Sequence, residues 1–276
     1  MWVNGALVTP DQARLSPFDH GLLVGDGVFE TLRVCDGVPF AWRRHVERLA
    51  HSAGGLGLPL PELSGLREAA DRVIEANRLT DARLRITVTG GPAPLGSERG
   101  DDPPTVIVAA TAYVRPPSAV PLLVVPWPRN ERGATAGLKT ISYAENVRAL
   151  AYARANGADE AMFANTVGNL CEATGSNVFV VDGDRVLTPP GRAGCLLGVT
   201  RALVLEVGAE IGVECVEEDM PITVLHDAQE AFLTSTTRDV QSISSVDGRA
   251  LARAPGPLTS RLAVAFRALM ASNPDP

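Results

Sequence analysis

One lysine, Lys139, occurs in this chain of 276 residues. Lysine and arginine together number 25, so the other 24 cationic side chains are arginines. A guanidinium stays protonated and cannot attack a carbonyl, although it serves surface charge, salt bridges and phosphate contacts well. A primary amine with a lowered pKa is what Schiff-base chemistry needs. The count alone leaves two readings open, a chance survivor of a lysine-poor composition and a functional amine. The neighbouring residues have to decide.

Other scarcities narrow the field. The four cysteines, Cys35, Cys171, Cys195 and Cys215, form no CxxC pair, so free thiols are expected rather than a disulfide framework or a zinc site. The four histidines, His20, His45, His51 and His226, show no HExxH or comparable ligand spacing, and no metal is expected. No apolar run approaches the roughly 20 residues of a membrane helix. Residues 1–20, MWVNGALVTPDQARLSPFDH, have no basic start followed by an apolar stretch. A cytoplasmic protein without a membrane partner is expected. A net charge of -7 provides no broad basic field for a phosphate backbone, so a small molecule is expected in place of nucleic acid.

At 45% hydrophobic and 21% charged, the composition is that of an ordinary globular protein with a substantial core. Residues 1–115 read as short strands (MWVNGALV, GVFETLRVCDG, ARLRITVTG, TVIVAATAYV) around two helices. The helix near 44–56 places Val46, Leu49, Ala50 and Ala53 on one face, and that near 66–77 does so with Leu66, Ala69, Ala70, Val73 and Ile74. The prolines of RPPSAVP predict a linker at 116–121. Residues 122–276 alternate apolar strands (VPLLVVPW, NVFVVDG, EAFLTST) with helices near 143–156, 199–211 and 258–270. Strand and helix mixed without a strict repeat predict an α+β (mixed α/β) class with two domains, 1–115 and 122–276.

Four segments carry candidate chemistry. Lys139 stands in GLKTISYAENVRAL, just ahead of a helical segment, where a side chain can project into a cleft. Glu172 lies in NLCEATGSNVFVV, read as a Gly- and Ser-containing turn before a strand. In CLLGVTRALVLEV, Gly198, Val199 and Thr200 start a helix whose unpaired N–H groups suit a phosphate. In FLTSTTRDV, the hydroxyls of Thr234, Ser235, Thr236 and Thr237 follow an apolar strand. Taken singly, each is equally a solvated turn carboxylate, a common helix start or a polar loop.

Together, GDGVFETLRV, HVERL, GLKTISY, CEATGSNVF, LGVTR and LTSTTRDV occur in an order that resembles the fold-type IV (class IV) aminotransferase family of pyridoxal 5'-phosphate enzymes, over residues 21–246. That family includes branched-chain aminotransferases, D-amino acid aminotransferases and 4-amino-4-deoxychorismate lyases. The resemblance implies a smaller N-terminal α/β domain, a larger C-terminal mixed-sheet domain, and the cofactor in the cleft between them. It implies Lys139 as Schiff-base lysine and proton carrier, and Glu172 as partner of the pyridine nitrogen. Arg48 and the backbone N–H groups of Val199 and Thr200 match phosphate ligands, and Thr236 with Ser235 beside it matches a hydroxyl contact. On the residues themselves, Tyr143 is read either as a hydrogen-bond partner of the cofactor phenolate or as a structural ring, Phe29 as a pocket wall, and Arg33 and Arg85 either as ligands of a substrate carboxylate or as surface charges. His45 is expected to pack or hydrogen-bond. A homodimer is implied as well.

The finer activity rests on departures from the family pattern. The stretch GGPAPLGSERG lacks the Arg-x-His carboxylate trap of the D-amino acid enzymes, and Arg83-Leu84-Arg85 stands where branched-chain enzymes tend to show Tyr-x-Arg. GDGVFETLRV and LRITVTGGPAPLGSERG are more similar to the lyases, so pyruvate elimination to give 4-aminobenzoate is expected. The alternatives are a class IV aminotransferase acting on a branched-chain or D-amino acid, or an amine, with a 2-oxo acid acceptor, and an inactive binding protein that kept the fold. The presence of both Lys139 and Glu172 speaks against inactivity.

Overall fold

The computed structural model describes residues 1–276. Its contacts divide the chain into two compact units. One comprises Met1–Val114, Leu138–Tyr143 and Pro274–Pro276, and the other Arg115–Gly137 and Ala144–Asn273. The two are therefore not contiguous halves: the segment that carries Lys139 belongs to the first unit.

In the first unit, the hairpin of β1 (Trp2–Val3) and β2 (Ala6–Leu7) turns at Asn4 and Gly5, both with positive φ, as a two-residue hairpin turn requires. The short helix α1 (His20–Leu23) leads into β3 (Gly27–Cys35) and β4 (Val38–Pro39). Then follow α2 (Trp42–Leu56), α3 (Leu63–Ala76), β5 (Ala82–Thr89) and β6 (Thr105–Ala112). The six strands form one antiparallel sheet in the order β2-β1-β6-β5-β3-β4.

Period two along β3 sends Val28, Leu32 and Val34 into the core beneath α2 and α3, where they meet Leu49, Ala53, Leu66 and Val73. The apolar faces read from both helix sequences are the buried ones, Ala50 excepted, which is half-buried. Phe29, Thr31 and Arg33 alternate with the core residues and so lie on the opposite face of β3. One residue breaks the pattern: position 30, on the core face, is a glutamate.

The second unit contains β7 (Ala119–Val124), α4 (Ala144–Ala155), β8 (Glu160–Ala164), β9 (Leu170–Ala173), β10 (Asn177–Asp182) and β11 (Arg185–Thr188). After these come α5 (Val199–Glu210), β12 (Glu214–Glu217), α6 (Val224–Asp227), β13 (Ala231–Ser235), β14 (Asp239–Val246), β15 (Arg249–Ala250) and α7 (Pro257–Ser272). Its nine-stranded sheet runs β12-β11-β10-β13-β14-β7-β8-β9, with β15 against β14. The sheet is mixed: β11 with β12, β14 with β7 and β7 with β8 are parallel pairs. The fold is thus the mixed α/β class expected.

The linker expected at 116–121 is only partly irregular, because Ala119–Val124 is a strand paired with β14. Pro121 is tolerated there because the register shifts between Ile243 and Ser245, opposite it, so its missing N–H coincides with a break in the ladder. No helix is long and apolar enough to cross a membrane. All four cysteines are free thiols.

Candidate active site

Lys139 is placed by its backbone. The Phe29 N–H donates to the Lys139 carbonyl at 3.1 Å, the Ile141 N–H donates to the Gly27 carbonyl at 2.9 Å, and Thr140 bridges Val28 in antiparallel fashion. The Lys139 N–H donates to the hydroxyl of Ser52, on α2, at 3.0 Å. Residues 139–141 thus extend the free edge of β3. Because Thr140 sits opposite Val28, alternation sends the Lys139 side chain to the Phe29 face.

There the Lys139 Nζ lies 4.3 Å from the Phe29 ring centroid. The Tyr143 ring meets the same ring edge-on, with centroids 5.2 Å apart. The Arg85 guanidinium stacks on it at 3.7 Å and donates Nε–H to the Thr87 hydroxyl at 3.1 Å. Arg85 forms no ion pair with a carboxylate, and partial burial draws its pKa below the ordinary guanidinium value. Lys139, Phe29, Tyr143 and Arg85 are therefore one cluster.

Arg48 is a residue of α2. Its Nε and Nη2 donate to the two oxygens of Glu30 at 2.7 and 2.8 Å, and His45 Nδ1 meets Glu30 Oε2 at 2.7 Å. His45, Arg48 and Ser52 recur at i, i+3 and i+7 and so share one face of α2. Burial alone would raise the Glu30 carboxyl. The charges and hydrogen bonds of Arg48 and His45 outweigh it and hold Glu30 well below the usual carboxylate range. Burial pushes the His45 imidazole below its ordinary value, against the pull of Glu30, which favours a neutral ring.

Arg33 does not join the Phe29 cluster. It pairs with Asp81 at 2.6 Å and stacks on Tyr113, and its register partner is Arg83, whereas Arg85 faces Thr31.

In the second unit, Glu172 is a strand residue of β9 rather than a turn residue. Its Oε2 accepts the Leu196 N–H at 3.0 Å, and its Oε1 lies 3.6 Å from Arg129 Nε. Arg129 is fixed in turn by a hydrogen bond to Asn146 Oδ1 at 2.8 Å and by stacking on Phe163. The neighbouring thiols are unsuited to nucleophilic work: burial pushes Cys195 up to about 12 and raises Cys171 further.

Asn177 joins the remaining pieces. Its Nδ2 donates to the Leu196 carbonyl at 2.7 Å, it faces Thr234 across the β10–β13 pair, and it packs against Gly198 at the start of α5. No side chain caps α5, which leaves the first N–H groups, those of Val199 and Thr200 among them, without an intrahelical acceptor. The hydroxyls of Ser176 and Thr234 are buried without a hydrogen-bond partner. Ser235 and Thr236 follow directly at the end of β13. A carboxylate, an uncapped helix start and orphaned hydroxyls suit a pyridinium and a phosphate, so the residues present fit pyridoxal 5'-phosphate.

Glu30, Arg129, Ser52 and Asn177 went unread in the sequence. Glu30 had a signal, a carboxylate on the apolar period of β3. Arg129 and Ser52 had none, because their partners are 43 and 87 positions away.

Comparison with known proteins agrees. A family model described as amino-transferase class IV matches residues 27–246. A putative branched-chain-amino-acid aminotransferase of Methanocaldococcus jannaschii is 34% identical, covering 97% of this chain and 95% of its own. An aminodeoxychorismate lyase of Bacillus subtilis is 30% identical, covering 97% and 93%. The branched-chain aminotransferase of Escherichia coli superposes with a TM-score of 0.92 at 29% identity, covering 97% of this chain and 93% of its own. The chain belongs to the class IV aminotransferase family of pyridoxal 5'-phosphate enzymes.

Proposed function

We propose that this enzyme is a 4-amino-4-deoxychorismate lyase, which releases pyruvate and leaves 4-aminobenzoate. Arg85 carries the reading. A guanidinium with no carboxylate partner, stacked on the Phe29 ring beside the Lys139 amine, suits a substrate whose carboxylate lies away from its reacting amine. A branched aliphatic side chain would leave that charge unanswered. The similarity to a lyase of Bacillus subtilis supports the same reading.

Bound pyridoxal 5'-phosphate supplies an electron sink for negative charge at the carbon beside the attached amine. Lys139 binds the cofactor through its amine. That amine would take the proton from the substrate ring carbon that bears the reacting nitrogen and return a proton to the enolpyruvyl group as the bond between the ring carbon and its ether oxygen breaks. Glu172 holds a proton at the pyridine nitrogen. Arg48, the N–H groups of Val199 and Thr200, and the hydroxyls of Thr236 and Ser235 hold the phosphate. Tyr143 donates to the cofactor phenolate, Phe29 forms a wall, and Arg85 orients the substrate carboxylate, with Arg33 further along the same face.

An aminotransferase is the second reading, favoured by the 34% identity to a putative branched-chain enzyme. Lys139 would then move a proton from the substrate carbon to the cofactor, and a 2-oxo acid would take up the amine. A D-amino acid substrate has less support: Arg99, the arginine of the 90–104 loop, is bound to Asp26 at 2.7 and 2.6 Å and to the Gly57 carbonyl at 2.7 Å. Repeated release of pyruvate from aminodeoxychorismate without a 2-oxo acid supports the lyase. No pyruvate, with bleaching of the visible cofactor band by a branched-chain L-amino acid, overturns it.

The enzyme is proposed to be a homodimer. Phe18, Leu22, Leu23 and Val24 are exposed apolar side chains on one segment, and hydrogen bonds at His20 and Ala93 tie that segment to the loop bearing exposed Leu95. Light scattering should give twice the chain mass for the native protein, and a lower mass for Leu22→Glu. A native mass of one chain would refute the dimer.

A further inference from the structure

We infer that Glu30 is a positioning residue for the cofactor phosphate, acting through Arg48. The inference rests on the reading of Arg48 as a phosphate ligand. Glu30 is fully buried on the core face of β3, between Val28 and Leu32, where an apolar side chain would pack without any electrostatic cost. A carboxylate kept there is held by specific partners: Arg48 through two parallel hydrogen bonds of 2.7 and 2.8 Å, and His45 through one of 2.7 Å.

A two-point fork fixes both the plane and the direction of a guanidinium, which a single hydrogen bond does not. A free arginine side chain samples many rotamers. Restraining Arg48 before the ligand arrives removes the cost of ordering it from the binding step. Glu30 also offsets the charge of Arg48 inside the unit, so the guanidinium is tolerated with its side chain 13% exposed. Neutral His45 contributes its N–H without adding a second positive charge. Glu30 is therefore set to favour phosphorylated over unphosphorylated pyridoxal, and to do so without touching either.

The test compares equilibrium binding of pyridoxal 5'-phosphate and of pyridoxal, each read from the visible band formed with Lys139, in four proteins. These are the native enzyme, Glu30→Gln, Arg48→Met and the double variant. A general loosening of the fold weakens both ligands together and leaves their affinity ratio unchanged. Loss of phosphate positioning lowers the ratio. The expected result is a ratio reduced at least about fivefold in Glu30→Gln, with no further effect of Glu30→Gln in the Arg48→Met background. Glu30→Asp, which keeps the charge but shortens the reach, should fall between the native enzyme and Glu30→Gln. If Arg48→Met lowers the ratio but Glu30→Gln does not, the inference about Glu30 is wrong. If Arg48→Met leaves the ratio at the native value, the phosphate role of Arg48 is itself wrong.

Discussion

Phe29 and Lys139 are joined twice, by the Phe29 N–H donating to the Lys139 carbonyl at 3.1 Å and by the Lys139 Nζ lying 4.3 Å from the Phe29 ring centroid. The backbone bond sets which face of the sheet the lysine side chain takes, and the ring gives its amine a partly apolar neighbour. Lys139→Ala is expected to abolish the visible band formed with pyridoxal 5'-phosphate and to lower turnover by roughly 10³-fold or more, because no other primary amine side chain exists in the chain to replace it. Absorbance titration with the cofactor measures the first effect. A band of native intensity in the variant would remove Lys139 from the site.

Glu172 accepts the Leu196 N–H at 3.0 Å and lies 3.6 Å from the Arg129 Nε, contacts that orient its carboxylate. Glu172→Gln should still take up the cofactor but slow proton removal from substrate by about 10²- to 10⁴-fold. Single-turnover absorbance measurements with substrate report that step. Native rates would exclude a role at the pyridine nitrogen.

Gly198 has no room for a β-carbon, which would overlap the Asn177 Oδ1. Gly198→Ala should therefore displace the start of α5 or turn Asn177 away from the Leu196 carbonyl. Because the N–H groups of Val199 and Thr200 move with that start, affinity for pyridoxal 5'-phosphate should fall about tenfold or more, with a smaller change for pyridoxal. Equal losses for both ligands would contradict phosphate binding at this helix.

His45 contributes a pH-dependent part of the stability. Its imidazole pKa is lowered on folding, first by burial, so the folded state resists a proton that the unfolded chain accepts. The corresponding stability is fully present above the unfolded value of 6.5 and is lost as pH falls below it. Glu30, also depressed, adds a further loss at more acidic pH, below its unfolded value of 4.5. Denaturant midpoints between pH 7.5 and 5 should decline in the native protein and decline less in His45→Asn. An identical slope in both would show that His45 is not the titrating group.

The faces of α2 and α3 were readable because Leu49, Ala53, Leu66 and Val73 recur at helical spacing, and burial follows that period. The start of α5 at Val199 was readable from Gly198 and the apolar run after it. The strand at Ala119–Val124 was hidden by Pro121, whose place depends on a register shift in β14 more than 120 positions away. Glu172 read as a turn residue because the Gly-Ser pair follows so closely, yet pairing with β8 carries the strand through it to Ala173.

By itself, the sequence determined the chemistry available: one primary amine, a carboxylate thirty-three positions on, an arginine-bearing helix, a glycine-led helix start and a run of hydroxyls, in an order specific to one family. Residue type and order are local properties, and they suffice to say which reactions are open. Only the tertiary structure decided which of these groups act together. Strand register put Arg85, not Arg33, against Phe29. An edge pairing brought Lys139 into the first unit, and the buried carboxylate of Glu30 took hold of Arg48. Such contacts join residues far apart in the chain, and they exist only once the sheets have chosen their partners.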